Sequence, residues 1–203
     1  MLQNRVTPQG DIIATAARGA WMGNRGQLHD SGKDILRPFK LKAWLICLLQ
    51  FNGRKRQVMA PNRYTELFFL DEATAFAAGH RPCFECRRAA YSHFKTCWLQ
   101  GNPQYGFSQQ TPIQKIDEIL HHERINSGQK VTYTAPANSL PNGTFILMDN
   151  QPCMVANNHA RQWMPTGYGP ATTLPAATVT VLTPQSTVNA FRAGYRPQMA
   201  LPA

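Results

Sequence analysis

The clearest structural signal in this sequence is the stretch Ala77-Ala78-Gly79-His80-Arg81-Pro82-Cys83-Phe84-Glu85-Cys86-Arg87-Arg88. A glycine directly after a short apolar helix favours a left-handed C-cap, so Gly79 predicts the end of a helix. Cys83 and Cys86 follow on a turn at a spacing that lets two thiolates share one Zn²⁺. The stretch therefore predicts a helix that runs into a Cys-x-x-Cys knuckle, with Zn²⁺ as the cofactor.

The residues around this knuckle resemble the Ada-type metal-binding domain of bacterial alkylation-repair proteins. Leu70-Asp71-Glu72-Ala73 running into Ala78-Gly79-His80-Arg81-Pro82-Cys83-x-x-Cys86 is similar to the second half of that domain, where a helix, a turn and a Cys-x-x-Cys pair hold zinc beside DNA. The resemblance implies zinc binding by Cys83 and Cys86. It does not imply methyl transfer, because the family's upstream Cys-x-x-x-Cys pair is missing and only Cys47 lies in the corresponding region. The rest of the chain is similar to uncharacterised bacterial proteins.

A closed zinc site needs four ligands, and the sequence leaves the second pair open. The candidates are Cys47, His80, His93 and Cys97. His93 and Cys97 are spaced i, i+4 on a predicted helix over residues 89–99, so they share a face. A free cysteine on an apolar helix face is also typical of a small core residue, and His80 could simply cover the end of the preceding helix.

The charge of the chain favours a polyanionic partner. There are 21 Lys and Arg against 11 Asp and Glu, which gives a formal net charge of +10. Nucleic acid, with DNA favoured over RNA, is the expected partner, and its phosphates would supply most of the affinity. The basic residues near the knuckle are the expected contacts: Arg54, Lys55, Arg56, Arg81, Arg87 and Arg88.

Composition and length also predict the cellular setting. The chain has 203 residues, 43% of them apolar, which is typical of a globular protein of one domain or two small ones. Residues 1–6 lack the apolar stretch of a signal peptide, and the longest apolar run, residues 43–51, is too short to span a bilayer. An odd number of cysteines, five, favours reduced thiols over a disulfide framework. We expect a cytoplasmic protein without a membrane partner.

The pattern along the chain predicts an α+β fold with two regions. In residues 1–100, the Ada-like zinc-knuckle region, residues 43–51 and 54–59 read as a β-hairpin around an Asn52-Gly53 turn. A Gly/Pro/Gln-rich stretch then precedes residues 111–203. That region begins with a helix from Thr111 to Gly128 and continues as short β-like runs that suggest a small barrel or curled sheet, and the two regions can also pack as one domain.

One short sequence recurs. Ala75-Phe76-Ala77-Ala78-Gly79-His80-Arg81-Pro82 returns as Ala190-Phe191-Arg192-Ala193-Gly194-Tyr195-Arg196-Pro197. Each copy follows a residue suited to capping a helix, Asp71 or Ser186. The echo is either a repeated way of ending a helix or a degenerate duplicate of the knuckle that keeps Arg196 for phosphate contact.

The favoured function is a zinc-binding, nucleic-acid-binding protein linked to DNA repair or regulation. One alternative is a metal-dependent nuclease or other nucleic-acid-processing enzyme, which would use Asp117, His121 or Glu66; another is a structural protein-interaction module. Residues 161–169, which contain Trp163 and Tyr168 among prolines and glycines, are a further candidate for contacting a partner. Residues 24–26 are a poor phosphate-binding loop, because the Gly-x-x-x-x-Gly-Lys-Ser/Thr pattern is absent, and nucleotide hydrolysis of the usual kind is therefore not expected.

Overall fold

The computed structural model describes residues 1–53 and 57–201, and in this part of the chain the expected α+β class is confirmed. The first sheet has six strands: β1 Gln3–Val6, β2 Ile12–Ala14, β3 Trp21–Asn24, β4 Leu45–Cys47, β5 Leu67–Phe69 and β6 Arg81–Pro82. Their order across the sheet is β2-β1-β5-β3-β4-β6. Helix α1, Glu72–Ala77, connects β5 to β6, and helix α2, Arg88–Gly101, follows the knuckle.

The second half of the chain begins with helix α3, Ile113–Arg124. Its short strands are β7 Ile125–Asn126, β8 Gln129–Lys130, β9 Tyr133–Pro136, β10 Phe145–Met148, β11 Gln151–Ala156, β12 His159–Met164, β13 Gly167–Thr173 and β14 Thr178–Val181, and helix α4, Gln185–Arg192, comes last. Strands β9 to β14 form an antiparallel sheet in the order β13-β12-β11-β10-β14-β9. Within the described residues this β-rich segment is an open sheet rather than a closed barrel.

The predicted hairpin around Asn52 and Gly53 takes a different form in the structure. Both turn residues have positive φ, 50° and 64°, as expected for an Asn-Gly turn. Strand β4, however, ends at Cys47 and pairs with β3 and β6 instead of with the chain after the turn. Residues 54–56 lie outside the described part of the chain, and residues 57–59 form no strand. The turn signal is local, whereas the strand pairing is decided by the sheet.

Helix α1 is fixed by two acidic residues at its start. Asp71 is the N-cap, and its carboxylate accepts hydrogen bonds from Thr74 N at 2.8 Å and from Ala200 N at 2.9 Å. Glu72 accepts from Gln198 N at 2.9 Å and from the Tyr195 hydroxyl at 2.8 Å. The last described residues of the chain are therefore docked on the first turn of α1, with buried carboxylates that favour the positive end of the helix dipole.

The main hydrophobic core joins both halves of the chain. The ring of Phe76 on α1 packs against Phe94 of α2, Phe191 of α4 and Tyr195, with centroids 5.2 to 5.3 Å apart. Ile116 and Leu120 of α3 belong to the same buried cluster. The centre of the molecule is therefore a set of helices packed beside the first sheet. No helix in residues 1–53 and 57–201 combines the length and the apolar character needed to cross a membrane.

Two helix boundaries differ from the sequence prediction. Helix α3 ends at Arg124 rather than continuing to Gly128, because Ile125 enters strand β7 and the chain turns at residues 127 and 128. Ser186 lies inside helix α4 and is not its N-cap. Its amide and hydroxyl instead donate to the carboxylate of Glu123, an acidic group from α3 that satisfies the first turn of α4.

Candidate metal centre

Three cysteines meet where strand β4 runs beside the knuckle. The Sγ atoms of Cys47, Cys83 and Cys86 all lie within 4.8 Å of one another. Strands β4 and β6 are parallel neighbours, and Cys83 N continues their pairing by donating to Ile46 O at 2.9 Å. Arg87 N donates to Cys83 O at 3.1 Å and closes the turn that presents Cys86. The backbone thus holds the three thiols together, and they could hold a metal ion.

The centre is partly enclosed by apolar side chains. Cys47 and Cys83 are buried with Met22, and Leu45 and Phe68 pack against this cluster. Cys86 is half-buried, so the site reaches the surface on that side. The amide of Leu48 points at Cys86 Sγ, with the nitrogen 3.4 Å from the sulfur. A backbone donor of this kind stabilises a thiolate, the form of cysteine that binds metals.

The three thiols also perturb each other's acidity. A hydrogen bond from the Cys47 thiol lowers the pKa of Cys83 to about 5, against the opposing effect of burial. The same hydrogen bond, together with burial, raises the pKa of Cys47, and burial raises the pKa of Cys86. Without a cation, the arrangement therefore favours one negative charge, centred on Cys83, that the neighbouring thiols share. A bound metal ion would favour further deprotonation, because its charge compensates the additional thiolates.

Of the four candidates for the remaining ligands, the structure brings only Cys47 to the knuckle. Cys97 is buried in the main core, and its sulfur lies 3.8 Å from Nδ1 of His93, one turn away on α2. The His93 ring stacks on Tyr195, with centroids 5.3 Å apart. These two residues share a helix face as the spacing predicts, but that face packs toward α4.

His80 is buried in the core. Its ring lies 4.7 Å from that of Phe69 and 5.1 Å from that of Trp44, measured between centroids. Nε2 accepts a hydrogen bond from Arg25 Nε at 3.2 Å, which assigns the proton to Nδ1. Burial and the neighbouring arginines hold the pKa of His80 well below its ordinary value. His80 is therefore a neutral core residue in this structure.

The basic residues expected to contact nucleic acid have diverse environments. Arg81 is buried and forms a two-pronged ion pair with Asp117, both bonds 2.7 Å long. Arg87 forms an ion pair with Glu72 at 2.7 Å. The guanidinium groups of Arg81 and Arg87 therefore both bind carboxylates within the protein. Arg88 is exposed, and its guanidinium carbon lies 4.3 Å from the centroid of the Phe84 ring. Arg54, Lys55 and Arg56 lie outside the described residues.

Phe84 is a surface residue that the sequence interpretation did not single out. Its side chain is 50% exposed, and its ring meets Tyr91 edge to face at 5.0 Å between centroids. Its position between the two knuckle cysteines could have indicated this exposure, because the tip of a tight turn has few neighbours to cover a large ring. An exposed ring with an arginine over it offers a stacking surface beside the cysteines.

The residues considered for a nuclease or a partner contact have internal roles. Asp117 accepts from Arg81, Glu66 accepts from Met59 N at 2.8 Å, and His121 packs edge to face on Phe39 at 5.0 Å. Trp163 is buried and Tyr168 donates its hydroxyl proton to Asp71 at 2.8 Å. The segment 161–169 belongs to the β12–β13 pair, which packs on α1, so its aromatic rings stabilise the fold.

The chain was compared with protein-family models, with curated proteins and with solved structures, and no match was found in any of the three. Its function is therefore argued from the geometry described above. The similarity of residues 70–88 to the Ada-type domain stays a prediction.

Proposed function

We propose that Cys47, Cys83 and Cys86 bind Zn²⁺ and that the knuckle so formed contacts nucleic acid. The meeting of three thiols within 4.8 Å is the observation that carries the proposal. Three cysteine sulfurs are soft ligands that favour Zn²⁺ over Mg²⁺ or Ca²⁺, which prefer oxygen. Tetrahedral Zn²⁺ then has one further position, which water or another ligand would fill. No cysteine in this proposal accepts a methyl group.

The surface beside the cysteines supports the nucleic-acid part of the proposal. Phe84 and Arg88 present an exposed ring and a cation at the tip of the turn, and the chain as a whole carries a formal charge of +10. Stacking of unpaired bases on such a ring tolerates any sequence, and phosphate contacts by arginine add salt-dependent affinity. Arg81 and Arg87, which hold the fold together through their ion pairs, are not part of this surface.

The metal site is tested by measuring the zinc content of the purified chain by elemental mass spectrometry. We expect about one zinc per chain in the wild type and a loss of zinc in each of Cys47→Ser, Cys83→Ser and Cys86→Ser. Cys153→Ser is the matched control, because Cys153 is also a buried free cysteine but lies in strand β11. A folded wild type without metal, or a Cys47→Ser variant that keeps it, would contradict the proposal.

The nucleic-acid contact is tested by fluorescence anisotropy with labelled single-stranded DNA, duplex DNA and RNA at several salt concentrations. We expect the strongest binding for a single strand and a decrease in affinity with salt. Phe84→Ala should weaken binding about 10-fold, as loss of one stacked base would, and Arg88→Gln should reduce the salt dependence. Arg192→Gln controls for net charge, since Arg192 is exposed on α4. Equal losses in Arg88→Gln and Arg192→Gln would show non-specific attraction instead.

A further inference from the structure

A second candidate site is a cavity that none of the three cysteines lines. The cavity has a volume of about 400 Å³, within the range of small-ligand sites. Its walls come from the β1–β2 turn, the segment between β3 and β4, the end of α3 and the β7–β8 turn. The lining includes Gly10, Asp11, Arg25, Arg37, Trp44, Arg124 and Lys130.

The charge on these walls is unbalanced. Four basic side chains line the cavity against one carboxylate, that of Asp11. Among the described residues, no carboxylate forms an ion pair with Arg25 or Arg124, although both are buried. Burying cations without anionic partners is costly. An anion that enters the cavity would therefore stabilise the folded state.

Arg25 is the most enclosed of these cations. Its side chain is 0% exposed, and its Nε and Nη1 atoms donate to His80 Nε2 at 3.2 Å and to Gly10 O at 3.0 Å. Its Nη2 atom has no hydrogen-bond partner. A Cβ placed on Gly10 would lie 3.9 Å from that nitrogen, so this unsatisfied donor lies behind the glycine at the cavity wall.

Arg124 approaches Arg25 across the ring of Trp44. The two guanidinium carbons lie on this indole at the same distance, 3.9 Å from its centroid. Arg124 Nη1 donates to Gly79 O at 2.9 Å, while Nε has no partner. The aromatic ring stabilises each cation through its π face but carries no negative charge, so two like charges remain close together.

Lys130 adds a third cation to the inner wall. Its ammonium donates to Ala77 O at the end of helix α1. Burial, followed by the charges of Arg25 and Arg124, lowers the pKa of Lys130 to about 7, whereas Asp11 opposes the shift. Near Lys130 the charges of Arg25 and Arg124 outnumber that of Asp11, and neutral His80 adds no charge, so the balance favours an added negative charge.

We propose that this cavity binds a phosphate monoester, with the phosphoryl group between Arg37, Arg124 and Lys130. Guanidinium groups match the oxygens of a phosphoryl group, and an ammonium adds a compact charge. Arg25 acts from behind the wall as a fixed positive charge. The apolar side chains of Ile12, Ile35 and Leu36 provide space for a small organic body attached to the phosphate. The proposal is independent of zinc and of the surface around Phe84.

The site is tested by isothermal titration calorimetry with adenosine monophosphate, inorganic phosphate and adenosine at low ionic strength. We expect the monophosphate to bind, adenosine not to bind, and salt to weaken the binding. Arg37→Gln and Lys130→Gln should each weaken it about 10-fold, the loss of one charge-assisted hydrogen bond. Arg37 is exposed, so Arg37→Gln is designed to leave the fold intact, and circular dichroism checks that Lys130→Gln stays folded without its bond to Ala77 O.

Lys115→Gln is the matched control, since Lys115 is an exposed lysine at the other end of α3 and does not line the cavity. Binding of the monophosphate by this variant should equal that of the wild type. If inorganic phosphate binds as tightly as adenosine monophosphate, the ligand is the free ion, and the proposed contact with an organic body is wrong. Three results would contradict the phosphate site. Adenosine could bind as tightly as the monophosphate, or Lys115→Gln could weaken binding as much as Arg37→Gln and Lys130→Gln do. The third is that neither phosphate binds at millimolar concentration.

Discussion

The helix ends at residues 75–82 and 190–197 have the same backbone hydrogen bonds. Gly79 N donates to Phe76 O at 2.9 Å and His80 N to Ala75 O at 3.0 Å. In the second copy, Gly194 N donates to Phe191 O and Tyr195 N to Ala190 O, both at 3.1 Å. The two glycines have φ of 91° and 114°, so both helices stop through a left-handed residue.

The two copies differ in the side chains that donate to the carbonyls at the helix end. In the first copy, the helix-end carbonyls of Ala77 and Gly79 accept from Lys130 and Arg124, residues from distant parts of the chain. In the second copy, Arg196 donates to Phe191 O at 2.9 Å, so the end is satisfied locally. These eight residues therefore encode a way to end a helix, while the surrounding fold decides which groups bind to that end.

The largest difference is expected between the two arginines. Arg81 is buried against Asp117, whereas Arg196 is exposed. Arg81→Met should lower the free energy of unfolding by about 3 to 5 kcal/mol, because it leaves a buried carboxylate without its partner. Arg196→Met should cost about 1 kcal/mol, the value of one hydrogen bond. Urea denaturation followed by circular dichroism measures both.

The double variant Arg81→Met/Asp117→Leu checks the reason for the first loss. Removing both charges should recover much of the stability lost in Arg81→Met, since the unpaired carboxylate is then gone. If Arg81→Met and Arg196→Met cost the same, the two arginines have equivalent roles and the contrast drawn from the structure is wrong.

A smaller difference is expected between the two glycines. A Cβ on Gly79 would lie 2.4 Å from Cδ of Arg124, whereas nothing lies within 4 Å of a Cβ on Gly194. Gly194→Ala should therefore cost about 1 kcal/mol for the strained backbone alone. Gly79→Ala should cost about 3 kcal/mol, since steric overlap is added. Thermal and urea unfolding of the pair measure the difference, and a larger loss at Gly194 would contradict it.

The smallest effect concerns the cations that meet the two helix ends. Lys130, which donates to Ala77 O in the first copy, has a pKa of about 7, below its ordinary 10.5. Between these values the unfolded chain holds a proton that the folded chain lacks, so stability rises with pH across this window. From about pH 7 to about pH 9, the wild type should gain on the order of 1 kcal/mol relative to Lys130→Gln. The free energy of unfolding of both proteins is measured by urea titration at each pH. If it changes with pH in the same way in both, Lys130 does not cause the pH dependence.

Local signals in the sequence predict the elements that depend on neighbouring residues. Asp71 caps α1, Gly79 ends it, and the Cys83–Cys86 turn follows, all within one continuous segment. The hairpin after β4 fails as a prediction of pairing because the alternatives for β4 lie far along the chain. Strand β6, its parallel neighbour, comes more than thirty residues later and has only two residues.

Local sequence patterns also do not predict the third cysteine of the site or the burial of the arginines, because these contacts join distant parts of the chain. The sequence offers Cys47, His80, His93 and Cys97 on equal terms, and only the β4–β6 register selects Cys47. A net charge counts Arg25 and Arg124 as surface cations, whereas the fold stacks both on one buried indole. No pattern of spacing indicates that arrangement, because its members come from three separate segments.

The docking of the chain's last described residues on α1 has a consequence for synthesis on the ribosome. Asp71 and Glu72 are buried early in the sequence, yet their carboxylates accept from Ala200 N, Gln198 N and the Tyr195 hydroxyl. During translation these acceptors stay hydrated until residues 195–200 have left the exit tunnel. Helix α1 therefore completes its native contacts only after a segment far along the chain has been made, which ties the folding of the first sheet to that distant segment.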